Sequence, residues 1–256
     1  MSSKITANSV KTKDKQPAKN LGSPLRVIVN TVLIFLLSQI LAAFLAEVIL
    51  GITHPNTSVN LDDSIAGQFG YILAAEFLAA YTVIYLVRRR GFSLSTIGLG
   101  RRPNSNDALK AVIGFVAFYI ILIIGSLIVN ALSPDLNNQK QNLGFTNIHS
   151  STDNLLAFIS LVIIPPLGEE ILVRGYLYSG LRKAWRFWPA LIGTSLIFGV
   201  AHLEFGSGGP LVWAAAIDTF LLSAVLVFLR EKTGALYAGI AIHMLNNLIA
   251  FSNIHH

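Results

Sequence analysis

The sequence contains no cysteine. Disulfides, thiol nucleophiles and cysteine-ligated zinc are therefore all excluded, while the compartment is left open. Charge is also scarce: 12% of the 256 residues are Asp, Glu, Lys or Arg, where a soluble domain carries about a quarter. Thirteen acids and nineteen bases are too few to coat the surface of a 27.7 kDa soluble protein. Disorder over most of the chain is excluded by its apolar content, since disorder needs low hydrophobicity and high net charge. What is present is a chain 53% hydrophobic with mean hydropathy +0.62. That composition points to a polytopic membrane protein.

Seven apolar segments bear this out, at about 27–52, 67–87, 111–132, 155–178, 189–205, 211–229 and 235–252. A crossing needs ~20 apolar residues, and the last three runs are short or interrupted. The expected fold is an all-α transmembrane helical bundle of about seven spans, within a range of six to eight. Continuous runs without apolar–polar alternation exclude a β-barrel. Residues 1–25, with Lys4, Lys11, Lys13, Lys15 and Lys19 among polar residues, read as a disordered basic cytoplasmic tail. The charged stretch is too long, and the next apolar run too long, for a signal peptide. Residues 26–256 form a single transmembrane domain.

The net charge of +6 has a topological cause. With the N-terminus inside, 17 of the 19 bases fall in the tail with the adjoining Arg26 and in loops 88–110, 179–188 and 230–234. Lys140 falls outside and Arg174 within a span. Such asymmetry is the positive-inside pattern. Bases spread over four separate segments also exclude a nucleic-acid partner. The partners expected are the lipid bilayer and a membrane-associated peptide or protein, with the oligomeric state left open. In a bacterium the location would be the plasma membrane.

Ionisable groups inside a span are costly and need a partner, a cavity or a function. Glu47 lies near a span end, and Glu76 and Asp218 lack an evident partner, so all three read as structural helix–helix contacts. The fourth span reads Pro165-Pro166-Leu167-Gly168-Glu169-Glu170-Ile171-Leu172-Val173-Arg174-Gly175. Two prolines predict a kink or a helix restart, which would put both acids in the first turns, at the positive end of the dipole. Glu170 and Arg174, spaced i,i+4, can pair. Glu169 points ~100° away and stays free.

The fifth span holds Phe198 and His202. The seventh holds His243 and Asn247 on one face, with Asn246 a less well aligned competitor. At 1.5 Å per residue, Glu169 and His202 each lie ~20 Å from the inner ends of their helices and His243 ~13 Å. The depths match well enough to predict one polar site inside the membrane. Amide hydrolysis needs an activated water, proton transfer and donors for the oxyanion. Glu169 can take the water's proton, His202 can orient the water, and His243 with Asn247 can face the tetrahedral oxygen. Alternatively Glu169, His202 and His243 could hold a zinc ion with a bound water. The sequence lacks the H-E-x-x-H helix of soluble metalloproteases. His255 and His256 are left out of the site.

At these residues the sequence resembles the CPBP group of intramembrane proteases, which includes the type II CAAX prenyl proteases and the Abi-like bacteriocin-processing and self-immunity proteins. The motifs E-E-x-x-x-R, F-x-x-x-H and H-x-x-x-N/B read here as Glu169-Glu170 with Arg174, Phe198 with His202, and His243 with Asn247. The turn Arg230-Glu231-Lys232-Thr233-Gly234 is also similar. The resemblance covers about 155–250, the protease-like core; the first three spans match in character alone. Val173 stands where the family commonly has Phe, and Ser223-Ala224 where a Gly is common.

The resemblance implies a CAAX-protease-like intramembrane endopeptidase whose substrate is lipidated or not. Glu169, His202, His243 and Asn247 would form the catalytic centre, and Glu170 and Arg174 would support it or position substrate. It leaves open a zinc or a metal-free glutamate mechanism. The alternative is a non-proteolytic immunity or scaffold protein that binds a peptide or partner in the same cavity.

Overall fold

The computed structural model describes residues 20–55, 59–137, 139, 144–203 and 211–252. Residues 1–19 of the expected tail, Lys140, the end of the fifth apolar segment at 204–205, and His255 and His256 lie outside the described residues. Seven long helical elements account for most of the rest: α1 Pro24–Thr53, α2 Ile65–Arg89, α3 Ser105–Leu132, α4 Ser151–Ala184, α5 Phe187–Val200, α6 Trp213–Thr233 and α7 Tyr237–Ser252. No strand occurs among the described residues. Five helices (α1, α2, α3, α4 and α6) are long and apolar enough to cross a membrane. The 14-residue α5 and 16-residue α7 are shorter.

Local chemistry sets the helix ends. Ser23 caps α1 through the Arg26 amide and Pro24 occupies its first position, where a missing N–H is harmless. The last residues of the expected tail are accordingly packed, with Leu21 fully buried and its carbonyl accepting from the Arg90 guanidinium. Reciprocal capping boxes, Asn104 with Asp107 and Ser150 with Asp153, start α3 and α4 and satisfy amide donors a helix start leaves open. Gly234 ends α6 at φ 67°, a left-handed position that suits glycine.

The polarity is inverted relative to a water-soluble bundle. Leu33, Leu37, Ile40, Ile113, Ile120 and Leu127 are exposed, whereas Thr31, Ser38, Ser160, Thr194, Ser195 and Ser223 are buried. Small and hydroxylated residues at the seams let helices approach closely. α1 lies along α2 and α5 along α6, while α4 runs through the middle against α2, α5 and α7. At Gly199 a Cβ would meet the Ala216 carbonyl at 2.7 Å, so α5 and α6 approach backbone to backbone there.

The base-rich loops gather at one end. Leu236 donates its amide to the Gly98 carbonyl, Arg230 reaches the Thr96 carbonyl and Ser179 Oγ, and Arg182 pairs with Glu231 at 3.0 Å. At the opposite end, 144–149 folds back onto α2. There the Phe145 amide donates to Gln68 Oε1 at 2.9 Å, and its ring packs with Ile65, Ala157, Val162 and Phe251.

Candidate functional site

The two prolines change α4 in a way other than the expected restart. The helix stays continuous and widens twice, into π-turns at Ile159–Ile163 and Glu170–Leu177, with an α-helical stretch Ile164–Glu169 between them. Ile164 donates back five residues to the Ile159 carbonyl, so the chain absorbs Pro165 and Pro166 by widening a turn. Such π-turns are rare and recur at functional sites.

Glu170 and Arg174 sit in the second wide turn, both fully buried, with Arg174 Nη1 2.8 Å from Glu170 Oε1. The guanidinium also lies 4.3 Å over the Phe198 ring of α5. Glu170 Oε1 has a second neighbour, His243 Nδ1 of α7 at 3.2 Å. A carboxylate only accepts, so Glu170 selects the His243 tautomer with a proton on Nδ1. Gly239, one turn earlier on α7, gives Glu170 room: a Cβ there would lie 3.2 Å from Glu170 Oε2.

The other ring nitrogen, His243 Nε2, stands 3.6 Å from Glu169 Oε2. That oxygen is buried and has no hydrogen-bond partner, although the Glu169 side chain as a whole is 21% exposed. Arg174, Glu170, His243 and Glu169 therefore form a line of alternating charge and imidazole, tied at one end and open at the other. His202 lies alongside. Its ring centroid is 4.6 Å from that of Phe198, which is in turn 6.0 Å from His243. His202 Nδ1 is bonded to the Phe198 carbonyl at 2.8 Å. Asn247, one turn beyond His243, donates to the Leu161 carbonyl at 2.9 Å. Asn246 turns instead toward Tyr119, at 3.5 Å.

The structure thus brings Glu169, Glu170, Arg174 and His243 into direct contact, with His202 joined through Phe198 and Asn247 on the adjacent turn. It also adds Glu76 of α2, which the sequence reading treated as a structural residue. A Cβ on Gly168 would fall 2.1 Å from Glu76 Oε2 and 2.9 Å from Glu76 Cβ. The available signal was Gly168 itself, since a glycine directly before the acids marks a close approach of another element. Asp218, by contrast, stays exposed on α6 with no part in this cluster.

The residue types are those a metal would use, but three of them do not converge. Among the described residues no group of three His, Asp or Glu side chains is placed to share an ion. Both His243 nitrogens face carboxylates, and His202 directs Nδ1 to its own helix. In this arrangement the set does not fit a three-ligand zinc site.

Residues 151–249, from the start of α4 to near the end of α7, match the family described as Type II CAAX prenyl endopeptidase Rce1-like. This match supports the resemblance to the CPBP intramembrane proteases over that segment, which contains every residue of the cluster except Glu76. An uncharacterised 24.3 kDa protein of Escherichia coli is 30% identical over 97 residues, which is 37% of this chain and 42% of that protein. The alignment therefore spans less than half of the curated relative's length. No solved structure matches the chain.

Proposed function

We propose that the protein is an intramembrane endopeptidase that hydrolyses a peptide bond in a membrane-associated peptide or protein, with water activated by Glu169. The observation that carries this reading is the buried, unpartnered Glu169 oxygen 3.6 Å from His243 Nε2. A carboxylate in this position can take a proton from water, and His243 Nε2, unprotonated in the tautomer that Glu170 selects, can accept that proton from Glu169 and return it to the leaving amine. His202 Nε2 orients the water, and Asn247, with His243 once Nε2 carries the proton, supplies donors to the tetrahedral oxygen, an interaction whose loss costs ~10²–10³ in rate in comparable sites. Glu170, held by Arg174, is a supporting residue that fixes the His243 ring. No step in this scheme passes through a metal.

The substrate class follows the family match: a peptide with a C-terminal CAAX-like or other hydrophobic tail, presented from the bilayer, prenylated or not. We further propose seven crossings with the base-rich end in the cytoplasm, since bases gather on the inner side. In a bacterium this would be the plasma membrane.

The test uses purified protein in detergent and two quenched fluorescent peptides, one ending in a farnesylated Cys-Ala-Ala-X sequence and its unprenylated counterpart. Cleavage that disappears in Glu169→Ala and in His202→Ala is the expected result. Cleavage undiminished in both variants would sink the assignment. Peptide binding without cleavage, unchanged in Glu169→Gln, would favour a non-proteolytic immunity or scaffold role. Metal analysis of the same sample, with cleavage measured before and after chelator, decides the zinc question; on the metal-free scheme chelator leaves the rate unchanged.

A further inference from the structure

The Leu161 carbonyl is an acceptor without a donor in its own helix. An α-helix would bond it to the amide of residue 165 and a π-turn to that of residue 166. Both positions are proline, and proline has no N–H. The remaining near candidate, the Ile164 amide, is committed to the Ile159 carbonyl. A buried carbonyl left unpaired is costly, and this one is satisfied from another helix: Asn247 Nδ2, 86 residues further along the chain, donates to it at 2.9 Å. On the other side of the same amide, Asn246 Nδ2 faces Asn247 Oδ1 at 3.5 Å, and Tyr119 of α3 donates to Asn246 Oδ1, also at 3.5 Å.

A primary amide has two N–H donors and one acceptor oxygen. With one N–H on Leu161 and the oxygen toward Asn246, the Asn247 amide has a single orientation and keeps a second N–H to donate. We propose that Pro165 and Pro166 are positioning residues: by withholding both amides that could bond Leu161, they reserve its carbonyl for Asn247 and fix the direction of the Asn247 amide. The inference rests on the reading of Asn247 as an oxyanion donor where it concerns rate, and on the hydrogen bond alone where it concerns orientation. It gives the proline pair a function distinct from bending the helix, across a contact between α4 and α7.

Pro165→Ala restores the α-helical donor to Leu161 and Pro166→Ala restores the π donor. The direct readout needs no substrate. In full-length protein with isotope-labelled asparagine, the Asn247 side-chain amide resonance is identified by its loss in Asn247→Ala. Its hydrogen exchange is expected to quicken in at least one proline variant, as the Leu161 carbonyl turns to the new backbone donor. With the farnesylated peptide, the same variant is expected to lose roughly ten- to a hundredfold in kcat at unchanged KM, the scale of an ångström misplacement. Combined with Asn247→Ala it should add no further loss, since residues acting through one another are non-additive.

A merely structural role for the prolines would change thermal stability and leave the amide signal as in the wild type. An Asn247 amide unchanged in both proline variants therefore overturns the inference, whatever the cleavage rates. If the amide is released but Asn247→Ala cleaves normally, the positioning stands and the oxyanion role of Asn247 fails.

Discussion

Glu170 and Arg174 are both excluded from solvent, and Arg174 Nε and Nη2 as well as Glu170 Oε2 lack hydrogen-bond partners. Such a pair need not stabilise a fold relative to apolar residues of the same size, but breaking it by removing one partner costs about 3–5 kcal/mol. Arg174→Ala is accordingly expected to lower the melting temperature sharply and the yield of folded protein with it. The double substitution Glu170→Gln with Arg174→Met removes both charges at once and should recover much of that stability. Peptide cleavage should remain impaired, because His243 has lost the carboxylate that sets its tautomer. Melting curves and cleavage rates on the same two preparations separate the structural from the functional share of the pair. Recovery of full activity together with stability would show that Glu170 does not orient His243.

The same residues show how far a sequence reading reaches. Glu169, Glu170, Arg174, His202, His243 and Asn247 stand out because ionisable and amide side chains are rare in apolar runs and recur here at helical spacing. Their partners are less legible. The Glu170–Arg174 pair follows from i,i+4 geometry, whereas the Glu170–His243 contact joins helices 73 residues apart and leaves no periodic trace. Glu76 was visible as an acid in a span, but its placement against Gly168 depends on how α2 crosses α4.

Among the elements, α4 departs most from expectation. Pro165 and Pro166 predicted a kink or restart; the helix does not restart, and takes up the missing donors by widening. Sequence alone marks where hydrogen bonding must fail; which compensation follows is decided by neighbours, here the Asn247 amide from α7. At Gly168 the crossing of α2 and α4 leaves no room for a side chain. Gly168→Ala would drive a methyl group into Glu76, and over-packing of this kind costs typically about 1–3 kcal/mol. A lowered melting temperature together with reduced cleavage is the expected outcome, and a wild-type melt would contradict the close approach. Gly70 of α2, where an added Cβ meets nothing within 4 Å, serves as the control on the partner helix.

For the whole molecule, the seven apolar runs foretold the seven long helices to within a few residues at most ends, because lipid-facing surfaces must be apolar whichever way the helices pack. The tail boundary differed, since Leu21 and Pro24 already belong to the packed domain. Orientation is testable without background, as the chain has no native cysteine. Asn106→Cys lies at the base-rich end and Asp63→Cys at the other, both exposed. In intact bacterial cells expressing the protein, a membrane-impermeant thiol reagent is expected to label Asp63→Cys and to reach Asn106→Cys only after the membrane is opened. The reverse pattern would invert the proposed topology.

The central claim is that Glu169 activates water for peptide-bond hydrolysis. It is tested most directly by mass spectrometry of the farnesylated peptide after incubation with purified protein in water labelled with heavy oxygen. The expected result is scission at one bond with heavy oxygen in the new carboxylate, abolished in Glu169→Gln while peptide binding persists. A peptide that stays intact though bound, or scission unaffected by Glu169→Gln, would contradict it.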